Sequence, residues 1–518
     1  MNNNRALFIA SFMTLIAAGL GFAVRAGILG SWGAQYGFTQ FELGTITGGG
    51  LAGFGIVILF ASFITDTVGY KPLLGVAFVL HLLSAVVTLV ATPVYNALGQ
   101  DATYWFLYVG MFMFAVGNGL CEAVINPLVA TLYPKEKTHY LNILHAGWPG
   151  GLIIGGLIAA CFTGATPLIR SLRWEFLMAV FLLPTVIYGL IVLKEKFPVS
   201  EAKAAGVSYG QMLLNLASPL LIFLFLLHAC VGYVELGTDS WITNITNTIA
   251  EGQGRYLFVY ASTIMFVLRF FAGPIVEKIN PLGLLFVSAA LGSIGLLMIG
   301  MSQAVWLVWI SVTVYGIGKT FLWPTMLGVV GERFPKGGAI TMGMIGGIGM
   351  LSAGLLGGPG IGYKQDYYAS KHLQAESEAT YERYASEKPN AFLGLPAIKG
   401  LDNKKVSVAL DKGKSLGTTV ERLKLREEDN KEIAKINKWW LDKGQPNIDE
   451  DQEPVGEAVL YGGRMALTLT AAVPAFMAVM YLLLVIYFQM RGGYQAEVLH
   501  GEKPDGERYT GGVEGPVE

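Results

Sequence analysis

Charge is the property this 518-residue chain has least of: Asp, Glu, Lys and Arg together make up only 14% of it. A soluble domain of this length would need a far larger polar shell, so the scarcity excludes an ordinary soluble fold. No sign dominates either. The 36 Lys and Arg nearly balance 37 Asp and Glu, for a net charge of −1, which removes any electrostatic case for nucleic acid as a partner. Cysteine is almost missing. The three present, Cys121, Cys161 and Cys230, sit inside apolar runs, so they read as small core residues and not as a disulfide framework or thiolate metal site. No metal-ligand spacing and no nucleophile–base set is visible. The expectation is therefore no metal, no cofactor and no enzyme activity.

What is abundant is hydrophobicity, at 53% of residues with a mean hydropathy of +0.51. Runs of 18 or more mainly apolar residues read as membrane-spanning helices. Twelve are expected, at about 6–30, 42–65, 73–93, 104–132, 140–163, 175–194, 218–246, 256–276, 282–301, 305–330, 339–360 and 464–490. The first apolar run is too long for a signal-peptide core and lacks a cleavage site, so it is taken as helix 1. The fold class is an all-α membrane protein of two pseudo-symmetric six-helix bundles.

The expected parts are an N-terminal bundle (1–194), a polar linker (195–217), helices 7–11 (218–360), an insertion (361–463), helix 12 (464–490) and a tail (491–518). The connections DTVGYKP, YPKEKTH, KEKFPVSEAK, VEKINP, GERFPKGG and MRGG carry Lys or Arg and fall on one side. The positive-inside rule makes that side cytoplasmic, with both termini there. Arg170, Arg173 and Arg255 fall on the other side, so the bias is not absolute. The hydrophilic insertion, which holds about half of the chain's charges, falls outside the cytoplasm. Its stretch VERLKLREEDNKEIAKINKWWL has helical periodicity, which suits solvated helices over the outer mouth or a docking surface for a partner.

A weak internal repeat links the halves. "GFAVRAGILGSW" in helix 1 aligns with "GYVELGTDSW" in helix 7, setting Arg25 opposite Glu235. "NGLCEAVINPL" in helix 4 aligns with "YGIGKTFLWPT" in helix 10, setting Glu122 opposite Lys319. A charge inside a membrane span costs roughly 2.5–3.5 kcal/mol on insertion scales, so each is a functional candidate by default. The opposite signs predict two ion pairs, Arg25–Glu235 and Glu122–Lys319, each closing one side in turn.

Each polar site also has a structural reading. Asn118, Glu122 and Asn126 share one helical face, where Glu122 either carries a proton or bonds a hydroxyl, or else forms a permanent ion pair. Tyr315, Lys319 and Trp323 recur at helical spacing, as a solute-binding face or as an aromatic packing stripe. Asn142 and His145 on helix 5 suit a polar solute or a helix–helix hydrogen bond. In helix 7, Glu235 is favoured over His228, read as a core histidine, and over Asp239, read as hydrated near the helix end. Arg269 is read as structural, held by Glu277 or by carbonyls. The glycine-rich runs are read as seams for close helix packing, not as phosphate loops.

The loop "TDTVGYKP", with Asp66, Gly69 and Lys71, resembles the loop 2–3 signature of the major facilitator superfamily, with Ser62 and Tyr70 departing from it. "RFFAGPIVEK" resembles its second-half copy. Within that superfamily, "GLCEAVINP", "LNILHAGWPGG", "YVELGTDSW" and "GKTFLWPT" resemble the fucose and glucose/galactose proton symporters. The resemblance implies a functional acid at Glu122 and places Asn142 near substrate. It matches Glu235, Gly237, Ser240 and Trp241 in helix 7, and it implies a cavity lined by helices 1, 4, 7 and 10. Arg25 and Lys319 depart from that family's pattern.

The expectation is a monomeric secondary transporter in the inner membrane, moving a hexose-type solute with a proton by alternating access. A small organic anion is the second reading, because Arg25 and Lys319 add positive charge. A non-transporting sensor is the third.

Overall fold

The structure, a computed structural model, describes residues 3–38, 40–163, 167–425, 431–497, 499, 501–502 and 508–509. It is almost entirely helical. The first six long helices are α1 (Asn3–Tyr36), α2 (Gln40–Val68), α3 (Tyr70–Leu89), α4 (Ala91–Leu132), α5 (Lys137–Phe162) and α6 (Trp174–Lys194). The next are α7 (Pro219–Ile249), α8 (Gly254–Arg269), α9 (Ala272–Met301), α10 (Val305–Arg333) and α11 (Pro335–Glu376). α12 is the pair Ile448–Thr470 and Ala472–Met490. Among the described residues, ten helices are long and apolar enough to cross a membrane, and α2 carries a shorter apolar stretch, Gly53–Val68.

Local chemistry sets the interruptions. Gly99 takes a positive φ of 83° inside α4, so the uninterrupted helix starts just after it and not at 104. Asn280 (φ 54°) breaks α9, and its side chain accepts from the N–H groups of Leu282 and Gly283 at 3.0 Å. Pro281 then fills the first helical position, where a missing N–H costs nothing. The glycine runs do act as seams. A Cβ on Gly151 of α5 would overlap the backbone of α1 at Ile16 and Leu20.

The insertion differs from the expected boundaries. α11 continues past 360 to Glu376, and α12 starts at Ile448 instead of 464. These extensions pack as an antiparallel pair, with Gly462 against Gln365 and Ala369. Between them lie Glu378–Tyr384, Asn403–Leu410, Lys414–Leu425 and Lys431–Trp439. Part of the helical stretch singled out above, 426–430, lies outside the described residues. The extensions and short helices share a small core that includes Leu373, Tyr384, Val406 and Val455. Asp451, fully buried, is held by Arg383. The insertion is thus a folded cap with its own core, and not solvated helices alone.

Candidate functional site

The site is built where several helices depart from regular geometry. Pro149 in α5 cannot donate to the His145 carbonyl, and Pro324 in α10 cannot donate to that of Thr320. Each proline therefore leaves a carbonyl of the preceding turn without its helical partner. Arg269, at the end of α8, takes up both. Its Nη1 donates to His145 O at 2.6 Å and its Nε to Thr320 O at 2.8 Å. Its Nη2 donates to Glu235 Oε1 at 3.0 Å. One guanidinium thus joins both halves through three acceptors, and all of its side is buried.

Glu235 lies in a π-turn of α7, Tyr233–Gly237, where the wider turn displaces the side chain from regular helical register. Its second oxygen accepts from the Trp323 N–H at 3.3 Å. A second π-turn, Ala353–Gly357 in α11, faces the first. Only glycine fits there: a Cβ on Gly237 would sit 2.7 Å from Gly357 Cα.

The expected ion pairs are corrected here. Glu235 pairs with Arg269 and not with Arg25; Lys319 pairs with Asp239 at 2.5 Å and not with Glu122. Asp239 lies one helical turn beyond Glu235, closer to Lys319 than the repeat alignment suggests, and it is not simply hydrated. Arg25 is buried inside the first half. It donates to Ser84 Oγ at 2.7 Å and to Gly21 O at 3.2 Å, and lies over the Phe114 ring at 4.0 Å. Among the described residues no acid pairs with it.

Glu122 is also buried without a cationic partner among the described residues. Asn126 donates to its Oε2 at 2.7 Å, and the Asn126 carbonyl oxygen lies 2.9 Å from His145 Nε2. A line of hydrogen bonds therefore runs from Glu122 through Asn126 and His145 to Arg269 and Glu235. Glu122, His145, Glu235, Arg269 and Trp323 face a common narrow cavity of about 30 Å³, walled by Phe54, Trp148, Leu236 and Met350.

The other sequence candidates fall elsewhere. Tyr315 donates to Val234 O at 2.9 Å as a buried packing residue, and Trp241 donates to Gly358 O at 2.8 Å between α7 and α11. Neither lines the cavity. Asn142 donates to Thr325 Oγ1 at 3.1 Å, a bond between the halves. Lys71 caps the end of α6 through Leu193 O and Glu195 O, both at 3.0 Å. Gly69 provides the positive φ of 95° that joins α2 to α3.

Asp66 accepts from the Ala339 N–H at 2.8 Å, at the N-terminal end of α11, where the helix dipole favours an anion. It belongs to a lock on the side that carries the termini and the linker. There Lys137 bonds Glu201 and Gly331 O, Thr138 bonds Glu332, and His139 Nδ1 accepts from the Gly273 N–H. Tyr494, after α12, donates to the second oxygen of Glu332 at 2.7 Å. The bonds between the halves named above run from the central cavity to this side. The termini side is closed.

Arg269 and Trp148, with the apolar walls Phe54, Leu236 and Met350, are cavity residues that sequence reasoning missed as such. The available signals were a lone arginine in an apolar run and a tryptophan next to Pro149. Arg269 was expected on Glu277 or on carbonyls; it does take two carbonyls, but its acid is Glu235.

These features match known proteins over most of the chain. A family model described as Major Facilitator Superfamily matches residues 7–358. Among solved structures, the transporter FucP in its outward conformation is 17% identical, with a TM-score of 0.57, covering 71% of this chain and 92% of its own. The proton:xylose symporter XylE bound to 6-bromo-6-deoxy-D-glucose is 12% identical, with a TM-score of 0.57, covering 71% and 90%. The human organic anion transporter MFSD10 is 11% identical, with a TM-score of 0.54, covering 93% and 100%. At these identities the likeness is one of fold. No curated protein sequence matches. The family match over residues 7–358, carried by a helical fold shared with solved members, shows that this chain belongs to the Major Facilitator Superfamily of membrane transporters.

Proposed function

We propose that the chain is a secondary transporter that moves a small neutral polar solute, of the hexose class, together with a proton. It acts as a monomer by alternating access in the inner membrane, with the termini side cytoplasmic. The observation that carries this reading is the charge arrangement at the cavity. Arg269 is occupied by Glu235, and Lys319 by Asp239, while Glu122 has only a neutral amide donor. Among the described residues that line the cavity, no cation is left unpaired for an anionic solute. One carboxyl is left that can gain or lose a proton without breaking an ion pair.

Trp148, Trp323 and Phe54 offer apolar faces of the kind that sit against a sugar ring, beside the carboxylates of Glu122 and Glu235 and the His145 imidazole, suited to its hydroxyls. The closed termini side corresponds to a state that loads from outside. The bundle boundaries at 194 and 218 fit this picture, with the linker helix at Glu201 docked on the closed side.

The organic-anion reading rested on Arg25 and Lys319. Arg25 lies away from the cavity and Lys319 is paired, so an anion would have to open an existing ion pair.

The test is uptake in proteoliposomes with a pH-sensitive dye inside. Neutral hexoses should drive proton entry, and sugar acids should not. Glu122→Gln should keep solute counterflow and lose proton-driven accumulation. Proton entry with sugar acids alone would overturn the neutral-solute reading. An absence of counterflow with any solute would favour a sensor.

A further inference from the structure

The cap holds a group of side chains that the transport reading does not use. His372 and Glu376 stand one turn apart on the extension of α11, so they share a helical face. Glu457 faces them from the extension of α12. One donor atom from each lies within 4.8 Å of the other two. His372 Nε2 is 3.9 Å from Glu376 Oε2.

Three further observations bear on what this group is for. The imidazole is held in place: it stacks on the Tyr461 ring at 4.6 Å between centroids and 22° between planes. The helices are held at a fixed close distance just below, where Gly462 meets Ala369. The two carboxylates face each other with no Lys or Arg in ion-pair range among the described residues, the only such contact of Glu376 being His372. Like charges this close repel by about 1–4 kcal/mol near a protein surface. A cation between them removes that repulsion.

We propose that His372, Glu376 and Glu457 form a divalent-metal site that staples the α11 and α12 extensions at the base of the cap. One imidazole nitrogen and two carboxylate oxygens suit a borderline first-row ion, and zinc is the class assigned. Calcium and magnesium take oxygen-only shells by preference. Zinc–ligand bonds of about 2.0–2.2 Å need the donors to close by a few tenths of an ångström to an ångström, which the two exposed glutamates reach by side-chain rotation. Water completes the coordination on the open side. The site lies in the insertion, away from the central cavity, and does not depend on which solute is carried.

The experiment uses the full chain in detergent, without an affinity tag, stripped with a chelator and then dialysed against ZnCl2. One zinc per chain is expected, with a rise in the thermal midpoint of the protein. His372→Ala and Glu457→Gln should each weaken binding at least about tenfold and cancel the rise. Glu453→Gln, an exposed acid one turn away, should change neither, and all three variants should keep the midpoint of the stripped wild type. Wild-type zinc affinity in the His372→Ala/Glu457→Gln double variant would overturn the site. Saturable calcium or magnesium binding with no zinc binding would overturn the assigned class of ion.

Discussion

The two halves of the molecule bury charge by different means. The second half pairs its ions: Arg269 with Glu235, and Lys319 with Asp239. The first half leaves two of its buried charges unpaired among the described residues, with Glu122 on an amide and Arg25 on an aromatic face and a hydroxyl. Ion pairs fix geometry, because separating them inside a low-dielectric core is costly. A lone carboxyl on a neutral network can change protonation and leave the geometry intact. On the proposed reading, the second half serves as the rigid frame of the cavity, and the first half carries the group that exchanges a proton.

The strongest way to break this contrast is to remove Arg269. Arg269→Ala strands Glu235 and two proline-freed carbonyls, so a loss of about 3–5 kcal/mol is expected, read as a fall in thermal stability in detergent. The double variant Arg269→Met/Glu235→Met should recover most of that stability but not transport. Equal losses in the single and double variants would show that the pair is not what Arg269 provides.

A smaller effect sharpens the pairing itself. Lys319→Met should destabilise by about 2–4 kcal/mol and be offset by Asp239→Leu. The exchange Glu122→Lys with Lys319→Glu should rescue nothing, because those two residues do not pair here. Rescue by that exchange would restore the pairing read from the repeat.

Tyr494→Phe removes one hydrogen bond to Glu332 in the termini-side lock, for about 0.5–1.5 kcal/mol. The local readout is faster hydrogen exchange at the Glu497 amide, which donates to Glu332 O. Unchanged exchange would separate the tail from the lock.

The smallest stability effect belongs to Glu122→Gln, expected within about 1 kcal/mol because a neutral amide replaces an unpaired carboxyl of the same shape. Its pH signature is the largest. Solute transport by the wild type should vary with pH, and the counterflow that the variant keeps should be flat. A large fall in the stability of this variant would mean that Glu122 holds the fold as the paired acids do.

How far the sequence reached can be judged on these same residues. The helical face Asn118–Glu122–Asn126 was legible because a period of 3.6 fixes it within one helix. The loop with Asp66, Gly69 and Lys71 was legible as a local motif. The partners of Glu235 and Lys319 were not. The repeat gives equivalent positions in the two halves, and equivalence under symmetry is not proximity. Asp239 was four residues from Glu235 in the same helix, yet only the π-turn and the packing of α7 on α10 decide that it meets Lys319.

Composition and periodicity alone determined a bundle of membrane helices and a polar insertion, because these follow from the solvent each residue tolerates. Tertiary structure alone decided which charges pair, which side is closed, and that the insertion has a core. Arg269 shows why. Its acceptors come from α5, α7 and α10, segments far apart in the chain, and two of them exist only because a proline elsewhere has freed a carbonyl.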